Sequence, residues 1–186
     1  MLGLGASIVS SSYDPLDQLG TYTSDFAAGT DSWGDFGISV GTQTKTANQS
    51  VGGRSGVLKV SYDANETVLF GISKATPWGK TFDVGDIVVV SMDIYFVDND
   101  PQDDDGDGNQ GAFFYFQAGS TFNSSRRTGQ FASPETWTTL SGTINITGGA
   151  ASANMQISPS NGQGDAPGTG DIWYVDNAVV KHYRPR

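Results

Sequence analysis

Side chains that could bind a metal ion are concentrated in one short acidic segment. Residues 98–111 read DNDPQDDDGDGNQG and contain the pattern Asp-x-Asp-x-Asp-Gly, formed by Asp103, Asp105, Asp107 and Gly108. Alternating carboxylates on a tight turn can converge on one Ca²⁺, and the glycine permits the turn. An EF-hand is excluded, because Phe114 stands at the twelfth position and a strand precedes the loop. We therefore expect either a calcium-binding turn or a solvated acidic loop.

A second set of side chains combines flat aromatic rings with planar polar groups. Strand alternation places these residues on outward faces: Asp93, Tyr95, Phe113, Tyr115, Gln117, Asn154 and Gln156, with Trp78 on a Pro-Trp-Gly loop. A sugar ring can stack its C–H face on an aromatic ring while polar side chains bind its hydroxyls. The set predicts a glycan cleft; the alternative is that the aromatics are core residues or cross-strand pairs.

Groups suited to catalysis are few. The chain has no cysteine, and its one histidine, His182, stands in a basic tail without the context of a triad or a metal site. The two glutamates, Glu66 and Glu135, each lie near a turn, so a glycosidase pair is not indicated. We expect a protein that is not an enzyme.

Charge and hydropathy limit the partners. The formal net charge is −10, and an acidic surface repels phosphates, so we expect no nucleic acid partner. No apolar run approaches about 18 residues, so we expect no membrane insertion. Residues 1–12 contain no Lys or Arg, which argues against a secretory signal.

Composition and periodicity predict an all-β fold. The chain has 25 glycines among 186 residues and few strong helix formers, while Thr, Val, Ile and aromatic residues suit strands. Residues 86–98 (DIVVVSMDIYFVD) give the strongest strand, with Val88, Val90, Met92, Ile94 and Phe96 on one face. Several more such segments predict a two-sheet antiparallel β-sandwich, a jelly roll, over residues 24–186.

Residues 1–23 predict an extended N-terminal arm. They are rich in Gly and Ser and uncharged up to Asp14, so they cannot form a core of their own. Their apolar side chains are Leu2, Leu4, Ile8 and Val9. We expect these four to dock the arm on a partner.

Several segments, in order, resemble the jelly-roll carbohydrate-binding modules that bind cellulose, xylan and related glycans. They are Ser24–Phe26 followed by Trp33, Gly53–Val60 (GRSGVLKV), Phe82–Phe96, Trp137–Gly142 (WTTLSG) and Trp173–Ala178 (WYVDNA). The resemblance implies the jelly-roll fold and core positions for Trp33, Trp137 and Trp173. It also implies a structural calcium held by Asp25 and Asp176, although Ala27 stands where the family often has glutamate.

A second resemblance concerns the segment Leu2–Ser7 (LGLGAS), which is similar to short leaders of bacteriophage structural proteins. It favours a non-catalytic structural or decoration protein of a virus particle, assembled in the host cytoplasm. Its partners would be other virion proteins or further copies of itself, and it could contact host surface glycans. The alternative is a free-standing or excised carbohydrate-binding module of a polysaccharide-degrading system, located outside the cell.

Overall fold

The chain folds into two antiparallel sheets. The structure, a computed structural model, describes residues 16–36, 43–63, 71–75, 81–97, 113–118, 121–125, 134–148, 153–158 and 170–186. Their strands are β1 Leu16–Ser24, β2 Gly34–Phe36, β3 Gln43–Val51, β4 Arg54–Tyr62, β5 Gly71–Ala75, β6 Ile87–Phe96, β7 Phe113–Ala118, β8 Thr121–Ser125, β9 Thr138–Asn145, β10 Ala153–Ser158 and β11 Ile172–Pro185. No helix long and apolar enough to cross a membrane occurs in these ranges.

Long-range pairing assembles the strands into a two-layer sandwich. The six-stranded sheet has the order β3-β4-β11-β6-β9, with β1 also paired to β11, and the five-stranded sheet has the order β2-β5-β10-β7-β8. Every pair is antiparallel. The predicted two-sheet jelly roll is confirmed.

The core lies on the predicted face of β6. Val88, Val90, Met92, Ile94 and Phe96 are all fully buried, because every second side chain of a strand points to the same side. Leu140 and Ile144 of β9 and Trp173 of β11 are buried in the same cluster. Burying these apolar side chains supplies most of the driving force for folding, at roughly 25 cal/mol per Å².

Strand β11 holds the six-stranded sheet together. Its first part pairs with β4, its second part pairs with β1, and nearly its whole length pairs with β6. The register shifts between Asp176 and Val179, where Asn177 has a φ of 48°. This bulge bends the strand, so that β4 and β1 can share one of its edges.

The sandwich begins earlier than the sequence predicted. Residues 16–23, assigned to the arm, belong to β1, which pairs with β11 from Leu16 to Ser24. Backbone pairing holds this polar segment, and Tyr22 packs against the core cluster. Leu2, Leu4, Ile8 and Val9 lie outside the described residues.

Candidate functional site

The backbone register places five of the predicted glycan residues on one sheet face. Ile72 of β5 is fully buried, and it pairs with Ile157 of β10, which pairs with Phe114 of β7. Directly opposed residues of an antiparallel sheet share a face, and each neighbouring row takes the other face. The rows on either side of this core row therefore fall on the outer face. They carry the predicted residues Phe113, Tyr115 and Gln156, and the next outer row, beyond the core row of Met155 and Phe116, carries Gln117 and Asn154.

The composition of this outer face changes across its strands. Gly34 of β2 and Ser73 of β5 share a row with Gln156, while Ala75 shares one with Asn154. On the other side, Gln117 of β7 pairs with Phe122 of β8. On this face β5 thus carries small residues, β10 carries amides and β7 carries aromatic residues, while Phe36 of β2 and Phe122 of β8 lie on the two edge strands. Ser73 and Phe122 were not identified from the sequence, because their strand pairings could not be read from local patterns.

Asp93 and Tyr95, predicted in the same cleft, lie in the other sheet. Both belong to β6 of the six-stranded sheet, and Tyr95 pairs with Tyr174 of β11. The single cleft expected from the sequence is therefore divided between opposite sides of the sandwich. Neither side chain is an open platform, since Asp93 is 7% exposed and Tyr95 is 8% exposed.

A charged and aromatic cluster covers Asp93 and Tyr95. We define this outer-face cluster as Arg54, Asp93, Tyr95, Trp137, Tyr174 and Asp176. Nη1 of Arg54 lies 2.6 Å from Oδ2 of Asp93 and 3.1 Å from Oδ2 of Asp176, and the guanidinium lies 4.4 Å from the centre of the Trp137 ring. Tyr95 contacts Trp137 at 5.4 Å and Tyr174 at 6.1 Å between ring centres.

Hydrogen bonds keep Asp93 ionised. Burial raises its pKa, but hydrogen bonds from Thr139, Asn177 and Arg54 outweigh burial, and the pKa lies below its ordinary value. Burial lowers the pKa of Arg54, but hydrogen bonds to Asp93 and Asp176 outweigh that effect and raise it. The cluster is therefore a fixed arrangement of one cation between two carboxylates.

The tip of the β3–β4 hairpin lies over this cluster. Gly52 and Gly53 have φ values of 55° and 79°, the positive angles of a type I′ turn. A Cβ on Gly52 would stand 2.6 Å from the Tyr95 ring and 2.7 Å from Nε1 of Trp137, which donates a hydrogen bond to the carbonyl of Val51. The close approach of this glycine explains the burial of Tyr95.

The tryptophans expected in the core divide into two groups. Trp33 is 2% exposed and Trp173 is fully buried, as the sequence predicted. Trp137 is only partly buried and lies outside the core cluster. Its prediction was wrong, because the chain before β9 directs its ring against Tyr95 and Arg54. Trp78 lies outside the described residues.

The two predicted calcium residues Asp25 and Asp176 have different surroundings. Asp25 borders an open polar pocket of about 420 Å³ together with Asp31 and Asn177. Asp176 does not line that pocket and accepts a hydrogen bond from Arg54 instead, whose positive charge competes with a cation there. The residues that the structure describes contain no group of three or more His, Cys, Asp or Glu side chains suited to a metal. Asp103, Asp105 and Asp107 lie outside those residues.

Sequence reasoning missed a buried network at the C-terminal end. His182 is fully buried, its Nε2 lies 2.7 Å from Oδ2 of Asp86, and its ring stacks on Phe82 at 4.3 Å between centres. Arg184 donates from Nε and Nη2 to the same carboxylate. The alternation of β11, which continues to Pro185, was the signal that His182 faces inward.

Comparison with known proteins supports the fold. The chain superimposes on the CBM22-1–GH10 modules of Clostridium thermocellum endo-1,4-β-D-xylanase 10B, complexed with xylohexaose, with a TM-score of 0.57, 13% identity and coverage of 88% of this chain and 28% of that one. A xylan-binding domain from CBM 22 gives a TM-score of 0.53 and 15% identity over 86% of this chain and 92% of that one. The tandem CBM22 domains of Paenibacillus barcinonensis Xyn10C give a TM-score of 0.57 and 14% identity, with coverage of 93% of this chain and 47% of that one.

These similarities establish a carbohydrate-binding-module fold and no more, because the identities are low. The chain spans only about a quarter of the length of two of these matches, 28% of the xylanase chain and 25% of an arabinose-bound α-L-arabinofuranosidase chain. No protein-family model and no curated protein sequence matches it.

Proposed function

We propose that this protein is a non-catalytic module that binds a neutral polysaccharide chain on the outer face of its five-stranded sheet. The observation that carries this proposal is the register of β5, β10 and β7. It aligns Tyr115 with Gln156 and Ser73, and Gln117 with Asn154 and Ala75. Aromatic, amide and small residues are thereby brought to one surface.

The arrangement suits an extended sugar chain. Aromatic positions on β7 and β8 offer stacking surfaces for pyranose faces, and the amides of β10 offer donors and acceptors for hydroxyls. The small residues Ser73 and Ala75 on β5 leave room for a chain beside the aromatic row. A xylanase chain of which a part has this fold was solved with xylohexaose, which supports a β-linked hexasaccharide as the first probe.

The state of Asp86 and Asp93 suits ion pairing rather than proton donation. A glycosidase needs one carboxyl group whose pKa is raised, so that it can donate a proton to the leaving group. Burial raises the pKa of both Asp86 and Asp93, but their hydrogen bonds outweigh it and lower both values. These two carboxylates therefore serve as ion-pair partners.

The proposal is tested by affinity electrophoresis and calorimetry with xylohexaose, cellohexaose and laminarihexaose. We expect binding of at least one sugar, and Tyr115→Ala should weaken it at least about fivefold, since lost stacking is worth about 1 kcal/mol. Tyr183→Ala, on a partly exposed ring of the other sheet, is the matched control and should leave the affinity unchanged. Unaltered binding by Tyr115→Ala would refute the assignment of this face.

The virus-particle role stays a prediction from the leader Leu2–Ser7, which lies outside the described residues. Three further expectations also stay predictions. They are the virion location, its extracellular alternative, and assembly with virion proteins or further copies of the chain. Capsid and tail genes beside the coding gene would support this role, whereas polysaccharide-degrading genes would favour the module of a degradative system.

A further inference from the structure

We propose that the outer-face cluster of the six-stranded sheet is a second saccharide site, formed by the exposed parts of Arg54, Trp137 and Tyr174. It lies on the opposite side of the sandwich from the face proposed above and uses none of its residues. It stands on separate observations, so either site can exist without the other.

The guanidinium of Arg54 is fixed in place but only partly used. The ion pairs to Asp93 and Asp176 both come from Nη1, and the ring of Trp137 supports the guanidinium from one side. Among the described residues, Nε and Nη2 of Arg54 donate to no other group, and the side chain is 34% exposed. A preorganised pair of donors at a surface costs little entropy to engage with hydroxyl oxygens.

Aromatic rings stand beside these donors. Tyr174 and Trp137 are partly exposed, and Tyr95 lies buried between them in contact with both. These contacts with Tyr95 support both rings from below. An aromatic ring can contact the C–H face of a sugar ring, and a fixed pair of donors beside it can bind the sugar hydroxyls.

The charges favour a neutral sugar. Arg54 is the one cation held against the two carboxylates Asp93 and Asp176, and Lys59 lies directly across from Tyr174 in the sheet. These two cations balance the two carboxylates, so the cluster has no net charge to attract a uronic acid or a phosphate. The ligand that fits is a neutral hexose or pentose unit.

Two sites on opposite faces have a consequence that one site lacks. A single module could bind two polysaccharide chains at once and join them. The wild type should therefore increase the turbidity of a soluble xylan or β-glucan solution, and removal of either site should abolish that increase while binding remains.

The site is tested by calorimetry with xylohexaose, cellohexaose and laminarihexaose on the wild type, Tyr115→Ala and Arg54→Lys. Lysine keeps the charge between the two aspartates but loses the planar fork and its stacking on Trp137. We expect about two binding events for the wild type, and each variant should weaken one of them at least about fivefold while the other keeps its affinity. Arg186→Lys, at an exposed ion pair with Asp17, is the matched control and should behave as the wild type.

A second variant keeps the test independent of folding. If Arg54→Lys is destabilised, Tyr174→Ala removes a partly exposed ring and should weaken the second binding event at least fivefold. Complete loss of binding in Tyr115→Ala overturns the second site while leaving the proposed function intact. Unaltered binding in Tyr115→Ala with loss in Arg54→Lys refutes the proposed face but supports this site. No heat with any of the three sugars overturns it.

Discussion

At the scale of single residues, Gly52 and Gly53 differ in the space around them. Both adopt positive φ angles at the hairpin tip, where any other residue is strained. Gly52 approaches the rings of Tyr95 and Trp137, whereas nothing lies within 4 Å of a Cβ placed on Gly53. A substitution at either glycine therefore introduces backbone strain, but only a substitution at Gly52 also introduces a steric clash.

We expect Gly52→Ala to be clearly more destabilising than Gly53→Ala. Both variants should lose roughly 1–2 kcal/mol of unfolding free energy to the left-handed backbone. Gly52→Ala should lose a further 1–3 kcal/mol, approximately, because the methyl group forces the two rings apart. Urea unfolding followed by tryptophan fluorescence measures both values, and equal losses would contradict the packing of the tip on Tyr95.

The same residues show what local patterns reveal. The alternation of β6 correctly separated Val90 and Ile94, which face the core, from Asp93 and Tyr95, which face outward. It could not reveal that Asp93 and Tyr95 are covered, because the covering groups come from residues distant in sequence, Arg54 and Trp137. The burial of outward-facing residues depends on such distant partners, and the alternation of apolar and polar residues within one strand carries no information about them.

At the scale of elements, Asp86 ties the turn before β6 to the end of β11. Its carboxylate accepts hydrogen bonds from the backbone N–H of Asp83 and from Arg184, and it contacts His182. The side chain is almost fully buried. Burial raises its pKa, but Arg184, Asp83 and His182 lower it, and the resulting pKa is about 2.

We expect Asp86→Asn to destabilise the fold in a pH-dependent way. A lowered pKa stabilises the folded state at pH values above the unfolded value of 3.8, and this contribution is lost as the pH falls toward about 2. The variant should be about 2 kcal/mol less stable than the wild type at pH 7, and the gap should narrow between pH 4 and pH 2. Asp83→Asn, at a carboxylate that is 61% exposed, is the control and should show a much smaller narrowing in urea unfolding.

Strands with buried faces were predictable, and polar edge strands were not. The segment 86–98 alternates between apolar and polar residues, and the structure has β6 within one or two residues of these expected bounds. β3 (QTKTANQSV) contains two bulges and mostly polar residues, so it shows no alternation. β1 was assigned to the arm for the same reason, since pairing with β11 rather than an apolar face defines it.

At the scale of the whole molecule, the sandwich followed from the strand pattern but the surfaces did not. Which strands share a sheet depends on pairings such as β10 with β5 and β7, which join residues far apart in sequence. The predicted glycan residues therefore divided between two sheets, five on one outer face and two under the hairpin tip on the other. Only the long-range register identifies the face on which the larger group lies.

A backbone amide NMR titration of the wild type with xylohexaose, or with whichever hexasaccharide binds most tightly, tests the proposed glycan face most directly. We expect the amide signals of β5, β7 and β10 to shift in a saturable way, and the shifts should include Ser73, Tyr115 and Gln156. Saturable binding that leaves every amide of these three strands unmoved would contradict the proposed face.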